Sequence, residues 1–337
     1  MGKDQDRRKK KINWAVYNKE LEERGKKVSK HISNLKEYVK ENWEKEVEAK
    51  NKSKDRSSGG RKFEYPDVLF ILLYVVKVWN NMGYRTLKGY AYDMFPKMPC
   101  TTAIRERIDA LDPNLIKNID NAIVRAKLAG KKISMVWDGT GLRVNGKHVW
   151  NEEKYGQKKK RTWKKVHFAA EIESNLIIGF TVHESSESEV KEERLYQFMA
   201  LILEKIGDIC VLEKFFGDGG YDVTGFFEFL KTLGIVPIIR IDKPTIEFIR
   251  RQIEMNKKKL GTPYDQWKPE NERAKKAMEQ LEWKEFVEKE RYGLRSGGEG
   301  IIGAFKGRFG ETLFSKKNSM INKEVVTKVL LHNVMRA

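Results

Sequence analysis

Cysteine is nearly missing from this 337-residue chain: there are two, Cys100 and Cys210, alongside only five histidines. That set offers neither the paired spacing of a zinc site nor a disulfide framework, so a reduced, cytoplasmic protein without a Cys/His structural metal is expected. Long hydrophobic runs are also lacking. The longest, Val68 to Val76, is broken by Lys77 and falls well short of the ~20 apolar residues that span a bilayer, so it reads as a buried helix and no membrane partner is expected. The charged opening Met1 to Lys11 is not followed by an apolar stretch, which argues against a secretory leader. Acidic residues are scarce beside basic ones, 48 Asp+Glu against 67 Lys+Arg, for a formal net charge of +19. A thermophile-like Lys/Glu surface would fit the 34% charged content, but such a surface stays near charge balance. The excess points instead to a polyanionic partner, with nucleic acid, and hence a nucleoid-associated protein, the leading candidate.

A hydrophobic fraction of 40% with 11% aromatics is enough to bury a core, which excludes a disordered chain, and the length suggests about two domains. Residues 1–62 carry a net charge of +9 and end in a Ser/Gly/Lys-rich stretch from Lys50 to Lys62. They read as a basic helical arm and a flexible linker. Leu21, Val28, Ile32, Leu35 and Val39 recur at helical spacing in the arm, compatible with a solvated or dimerising helix as well as with DNA contact. Residues 63–130 read as a helical DNA-binding domain. A buried helix from Pro66 to Trp79 is followed by a second from Tyr84 to Met94, a break at 95–100 and a third opening at Thr101. Helix, short turn, helix is the outline of a helix-turn-helix, although hairpins of helices occur in any α-rich domain. In that reading Thr101 or Thr102 caps the last helix, which offers Arg105 and Arg107 to DNA.

After Lys132 the apolar period changes. Strand patterns at 133–138, 165–173 and 176–182, a helix at 189–206, a strand at 211–216, a helix at 224–233 and a strand at 235–241 give the order βββαβαβ. The fold class is therefore α/β with a mixed sheet, preceded by an all-α N-terminal region. Charged residues from about 244 to 291 read as a helical insertion.

Asp138 closes the first strand pattern in Trp137-Asp-Gly-Thr, and Asp218 follows the fourth in Gly217-Asp-Gly-Gly-Tyr-Asp222. If those strands are neighbours, both carboxylates emerge at one edge of the sheet, where Mg²⁺ takes carboxylate oxygens, water and substrate phosphates. Asp-Gly pairs are also ordinary turn chemistry. Downstream, Tyr292, Arg295, Glu299 and Lys306 stand at offsets of 0, 3, 7 and 14, which on one continuous helix share a face about 60° wide. Ser296-Gly-Gly-Glu299 is at the same time a capping box; a helix starting at Ser296 would leave only Glu299 and Lys306 on that face. Residues 147–165 interleave eight Lys+Arg, among them Lys158, Lys159, Lys160, Arg161 and Lys164, with Trp150, Tyr155 and Trp163. Basic residues mixed with aromatics suit a strand-binding loop. His167 and His183 carry no strong signal; either suits a satisfied polar group, and His167 also a place behind a metal site.

The Asp138 and Asp218 contexts, together with the Tyr-x2-Arg-x3-Glu-x6-Lys spacing at 292, 295, 299 and 306, resemble the DDE-class insertion-sequence transposases, whose catalytic core is ribonuclease H-like. The resemblance covers about residues 65–337, since Tyr65-Pro-Asp-Val and Tyr84-Arg-Thr-Leu are similar to the helical part of such enzymes. It implies a ribonuclease H-like catalytic domain at 131–337 and a triad of Asp138, Asp218 and Glu299 holding two Mg²⁺ ions, with Mn²⁺ as a substitute. It implies that Tyr292, Arg295 and Lys306 grip phosphates beside the cut, that tryptophans help hold unstacked bases, and that the partners are double-stranded transposon ends and target, engaged by a homodimer. The expected reaction is cleavage at terminal inverted repeats and joining of 3′ ends to target DNA. A metal-dependent nuclease of the same fold, or an inactive DNA-binding derivative, are the competing readings.

Overall fold

The structure is a computed structural model that describes residues 14–53, 62–95, 97–144, 163–184, 191–260 and 271–337. The chain forms two compact units, residues 1–111 with 334–336, and residues 112–333 with Ala337. Among the described residues no helix is long and apolar enough to cross a membrane.

The first unit is helical: α1 (Trp14–Ser53), α2 (Asp67–Trp79), α3 (Tyr84–Tyr90) and α4 (Thr101–Ala110). α2 is apolar on every side and correspondingly is buried from Leu69 to Val76, as a helix hydrophobic all round must be. α1 packs along it with Val28 and Val39 wholly buried, whereas Leu21 of the same apolar series lies in solvent at 44% exposure. α1 extends through Ser53, so the first residues of the expected linker are helical, and 54–61 lie outside the described residues. At α4 the cap differs from expectation. Cys100 is the N-cap residue, its Sγ accepting from the Ala103 N–H at 3.4 Å, and Thr101 is already helical.

The second unit opens with α5 (Pro113–Leu128), capped by Asp112 and started by proline. Then follow β1 (Lys132–Val144), β2 (Trp163–Glu171), β3 (Ile177–Glu184), α6 (Glu192–Ile206), β4 (Val211–Gly217), α7 (Thr224–Thr232) and β5 (Val236–Ile239). The strand order is β3-β2-β1-β4-β5. The first three strands are antiparallel neighbours, while β4 runs parallel to β1, and β5 to β4. This mixed sheet is the ribonuclease H-like arrangement expected from the sequence. β1 does not end at Asp138. Its pairing with β2 continues to Arg143↔Trp163, and its end meets the short β6 (Thr312–Leu313).

Alternation along β1 sends its side chains to two layers. On one face Trp137, 1% exposed, packs on Phe198 of α6, Phe215 of β4 and Phe226 of α7, with ring centroids 4.7, 4.8 and 5.5 Å away. On the other lie α11 (Ser296–Phe309) and α12 (Asn318–Arg336), where Phe305 meets Phe168 of β2 at 5.1 Å. Between β5 and α11 the chain forms α8 (Lys243–Leu260), α9 (Glu272–Glu279) and α10 (Trp283–Lys289), the expected helical insertion.

Candidate active site

β1 and β4 are neighbours, and their last registered pair is Val136↔Phe216. Asp138 and Asp218 each stand two residues further on, so parallel register brings both carboxylates to the same level at the carboxyl end of β4. Gly217 makes the exit from β4 possible, because a Cβ there would lie 2.9 Å from the Tyr221 ring and 3.0 Å from that of Phe215. Beyond it Asp218 caps a 3₁₀ turn (Gly219–Tyr221), one carboxylate oxygen accepting from the Gly220 N–H at 2.8 Å. Asp138 likewise uses one oxygen on the Gly139 N–H, at 2.9 Å.

The third carboxylate arrives on α11. A Cβ at Gly298 would sit 3.0 Å from a methyl of Val136 and 3.4 Å from the Asp138 Cβ, so the helix rests directly on β1 and Glu299, the next residue, is delivered beside Asp138. Asp138, Asp218, Glu299, Tyr292 and Arg295 line one open cleft of about 620 Å³. Burial pushes the Asp138 carboxyl above the usual carboxylate range, opposed by the Gly139 N–H and Arg295 and reinforced by the charges of Asp218 and Glu299.

The Tyr-Arg-Glu-Lys set does not share one helical face. Tyr292–Arg295 is a 3₁₀ turn and α11 begins at Ser296. Arg291, just before the turn, takes the left-handed conformation at φ 54°, reversing the chain between α10 and the turn. Tyr292 then packs against Trp283 at 5.2 Å and donates its hydroxyl to the Gly217 carbonyl at 3.4 Å. Burial raises its pKa, with Arg295 and Arg240 opposing. Arg295 donates to Glu299 at 2.6 Å. The capping box is not formed: Ser296 Oγ donates to the Gly293 carbonyl at 2.7 Å, and α11 has no side-chain cap. Lys306, two turns beyond Glu299 and thus about 10 Å along the axis, lies outside the cleft lining and pairs with Glu311 at 3.2 Å.

Two of the basic residues expected to meet DNA are engaged within the protein. Lys164 is 6% exposed and paired with Glu184 on the neighbouring strand. Arg107 donates to Asp67 at 2.8 Å and lies over the rings of Phe63 and Phe70. Arg105 is exposed on α4, and Lys158, Lys159, Lys160 and Arg161 lie outside the described residues. His167 is buried on the Trp137 face, bonded through Nε2 to the Tyr221 hydroxyl, and burial depresses its pKa to about 3. It is a neutral core histidine. Sequence reasoning missed Arg240, Asp242 and Lys243, which form the opposite wall of the cleft. Their signal was positional: a charged run directly beyond the carboxyl end of a strand, where open α/β sheets bind their ligands.

Asp138 and Asp218 each keep a second carboxylate oxygen without a protein hydrogen bond among the described residues. Hard oxygen donors so placed suit Mg²⁺, which takes one or two carboxylates and completes its shell with water and phosphate. Among the described residues no three His, Cys, Asp or Glu side chains converge closely enough to cage a metal by themselves, and Glu299 is held by Arg295.

Among solved structures, a pre-cleavage Mos1 transpososome is similar at 11% identity, covering 70% of this chain and 82% of that one, with a TM-score of 0.23. The Mos1 strand transfer complex gives 12%, 74%, 81% and 0.25, and the mariner Mos1 paired end complex with Mg gives 12%, 78%, 84% and 0.24 in the same order. The family model described as "Transposase DDE domain" matches residues 130–334, well over half of the chain. The chain belongs to the transposase DDE domain family, and it is a DNA transposase, an enzyme of DNA cleavage and strand transfer.

Proposed function

We propose that Asp138, Asp218 and Glu299 are the acidic triad of this transposase, that they hold two Mg²⁺ ions, and that the enzyme cuts DNA at terminal inverted repeats and joins the 3′ ends to a target. The observation that carries this reading is the register Val136↔Phe216 together with the contact of Gly298 on Val136, which account for three carboxylates around one cleft. When bound, such ions polarise the phosphoryl oxygens and acidify the attacking water or 3′-hydroxyl. The chain's own part is positioning. The Gly139 and Gly220 N–H groups each fix one oxygen of an aspartate and so aim the other into the cleft. Arg295 orients Glu299, and its fork suits a neighbouring phosphate once DNA enters. Arg240 and Lys243 supply positive charge from the facing wall. The Tyr292 phenol, raised in pKa by burial, stays protonated, and its one O–H reaches a phosphate oxygen only by leaving the Gly217 carbonyl to which it donates.

Arg105 and the basic stretch Lys158 to Arg161 are also proposed to bind DNA, Arg105 because it is exposed and the stretch because its four consecutive cations stand among Trp150, Tyr155 and Trp163. Lys306 is a phosphate contact in this reading only if DNA displaces Glu311. Joining two ends to a target calls for two catalytic centres, so a homodimer is the proposed working form.

The test is incubation of the full chain with a plasmid carrying the DNA that flanks its reading frame, in Mg²⁺, Mn²⁺ or EDTA. Discrete cuts at the flanks, with 3′ ends joined to other DNA and lost in Asp138→Ala, Asp218→Ala and Glu299→Ala, are expected. A variant that still cuts removes its residue from the triad. Nicking without joining would replace the transposition reading with that of a nuclease.

A further inference from the structure

We infer that Arg273, in the helical insertion, is a positioning residue for DNA cleavage, holding the Asp218 turn and the facing wall at residues 240–243 in register. This rests on the reading of the cleft as the cleavage site. Arg273 does not line the cleft. It lies behind the wall, on α9, and its guanidinium donates to Asp222 from Nε at 2.6 Å and from Nη2 at 2.7 Å. The same Nη2 reaches Asp242 at 3.3 Å and the Thr245 hydroxyl at 3.0 Å.

Asp222 closes the turn that begins at Asp218, its N–H donating to the Gly219 carbonyl at 3.3 Å. Its carboxylate, 4% exposed, also accepts from the Asp242 N–H at 2.9 Å. One buried carboxylate thus joins the turn carrying a proposed metal ligand to the segment carrying Arg240 and Lys243, and one guanidinium neutralises it. A second tie runs from the same helical segment. Gln280 donates to the Ile239 carbonyl at 2.7 Å and accepts from the Ile241 N–H at 3.0 Å. It pairs with the backbone at the end of β5, the last strand in the order, as another strand would.

The Arg273 fork is directional in a way a lysine is not, so Arg273→Lys keeps the charge and loses the geometry. Arg273→Lys no longer bridges Asp222, Asp242 and Thr245 at once, and Arg273→Ala leaves the buried Asp222 carboxylate uncompensated; in both the turn and the wall are free to part. In the full chain at saturating flank DNA and Mg²⁺, Arg273→Lys is expected to lower turnover by about ten- to a hundredfold, the scale on which small displacements of reacting groups act. Binding of uncut DNA in EDTA should be nearly unchanged, because the wall is a small part of the basic surface. Hydrogen exchange should accelerate at the amides of Ile241, Asp242 and Thr245 and stay slow in β1 and β4. Added guanidinium ion should restore part of the turnover of Arg273→Ala.

A merely structural arginine would behave otherwise: Arg273→Lys would lose turnover and DNA binding together, exchange would rise across the whole sheet, and guanidinium would not rescue. That pattern, or wild-type turnover in Arg273→Lys, overturns the inference. Asp138→Asn, run in parallel, separates the two claims. If it still cuts, the site reading falls and the inference with it; if it is dead while Arg273→Lys is normal, only the role of Arg273 falls.

Discussion

His167 and Lys164 carry the same lesson at the scale of single residues: a polar side chain on a strand is defined by the distant partner the fold brings to it, Tyr221 of the 3₁₀ turn for one and Glu184 of β3 for the other. His167 is neutral in the fold at a pKa of about 3, below the ~6.5 of an unfolded chain. The unfolded state therefore binds the extra proton as pH falls below about 6.5, and stability is lost progressively from there toward pH 3. Between pH 7 and pH 5 the loss from this residue is expected to be about 2 kcal/mol. Denaturant melts of His167→Gln should show a shallower acid slope, and an identical slope would assign the titration to another group. What short-range sequence made legible was which residues gather: Asp138 and Asp218, singled out by their glycine contexts, and Tyr292, Arg295 and Glu299, singled out by their spacing, line one cleft. The engagement of Lys164 and Arg107 was not legible, because the carboxylates that engage them, Glu184 and Asp67, are 20 and 40 residues away in the chain. Arg107→Ala and Lys164→Ala should accordingly leave the salt dependence of DNA binding unchanged, whereas Arg105→Ala should reduce the slope of log K against log salt by about one.

At the scale of elements, the order βββαβαβ followed from apolar period, since each strand is half-buried or flanked by turn residues, and the helical insertion from its run of charged residues. What period could not give was the start of α11. The four-residue 3₁₀ turn before it rules out one continuous helix and bears out the other reading, a helix starting at Ser296, with Tyr292 packed on Trp283 at the break. The length of β1 also escaped, because Asp-Gly reads as a turn while pairing with β2 keeps the strand extended past it. The seat of α11 on β1 has a direct consequence. Gly298→Ala gains helix propensity of about 0.5–1 kcal/mol, yet its methyl would lie 3.0 Å from Val136 and must lift the helix by a few tenths of an ångström. Its melting temperature should be near that of wild type while flank cleavage falls several-fold, on the order of ten; wild-type turnover would show that the helix has slack. Trp137→Ala, by contrast, empties the core beneath the site and should cost about 3–5 kcal/mol, read as a lower denaturant midpoint.

For the whole molecule, a charge of +19 was sufficient to anticipate a polyanionic partner, but not which surface meets it. The N-terminal region illustrates why. Its charge suggested a detachable basic arm, yet α1 buries Val28 and Val39 completely within the first unit. Deleting residues 1–62 would therefore expose that unit's core, and its effect on binding would report unfolding as much as lost contacts. Neutralising exposed positions such as Lys26 or Lys52, with side chains 68% and 72% exposed, isolates the electrostatic contribution. In the second unit the proposed triad is divided between two kinds of support. Asp138 is rooted at the middle of the longest strand, bonded to neighbours on both sides over much of its length, and cannot move unless the sheet does. Glu299 rides in the first turn of a helix that meets the strand there through a glycine, the buried side chains that anchor the helix, such as Ile301 and Phe305, coming only further along. The site is built like a vice with one fixed jaw and one travelling jaw. On the proposed reading, a change in spacing as the phosphate passes from cut to joined is expected to fall on the first turn of α11, with the aspartates staying where the sheet holds them.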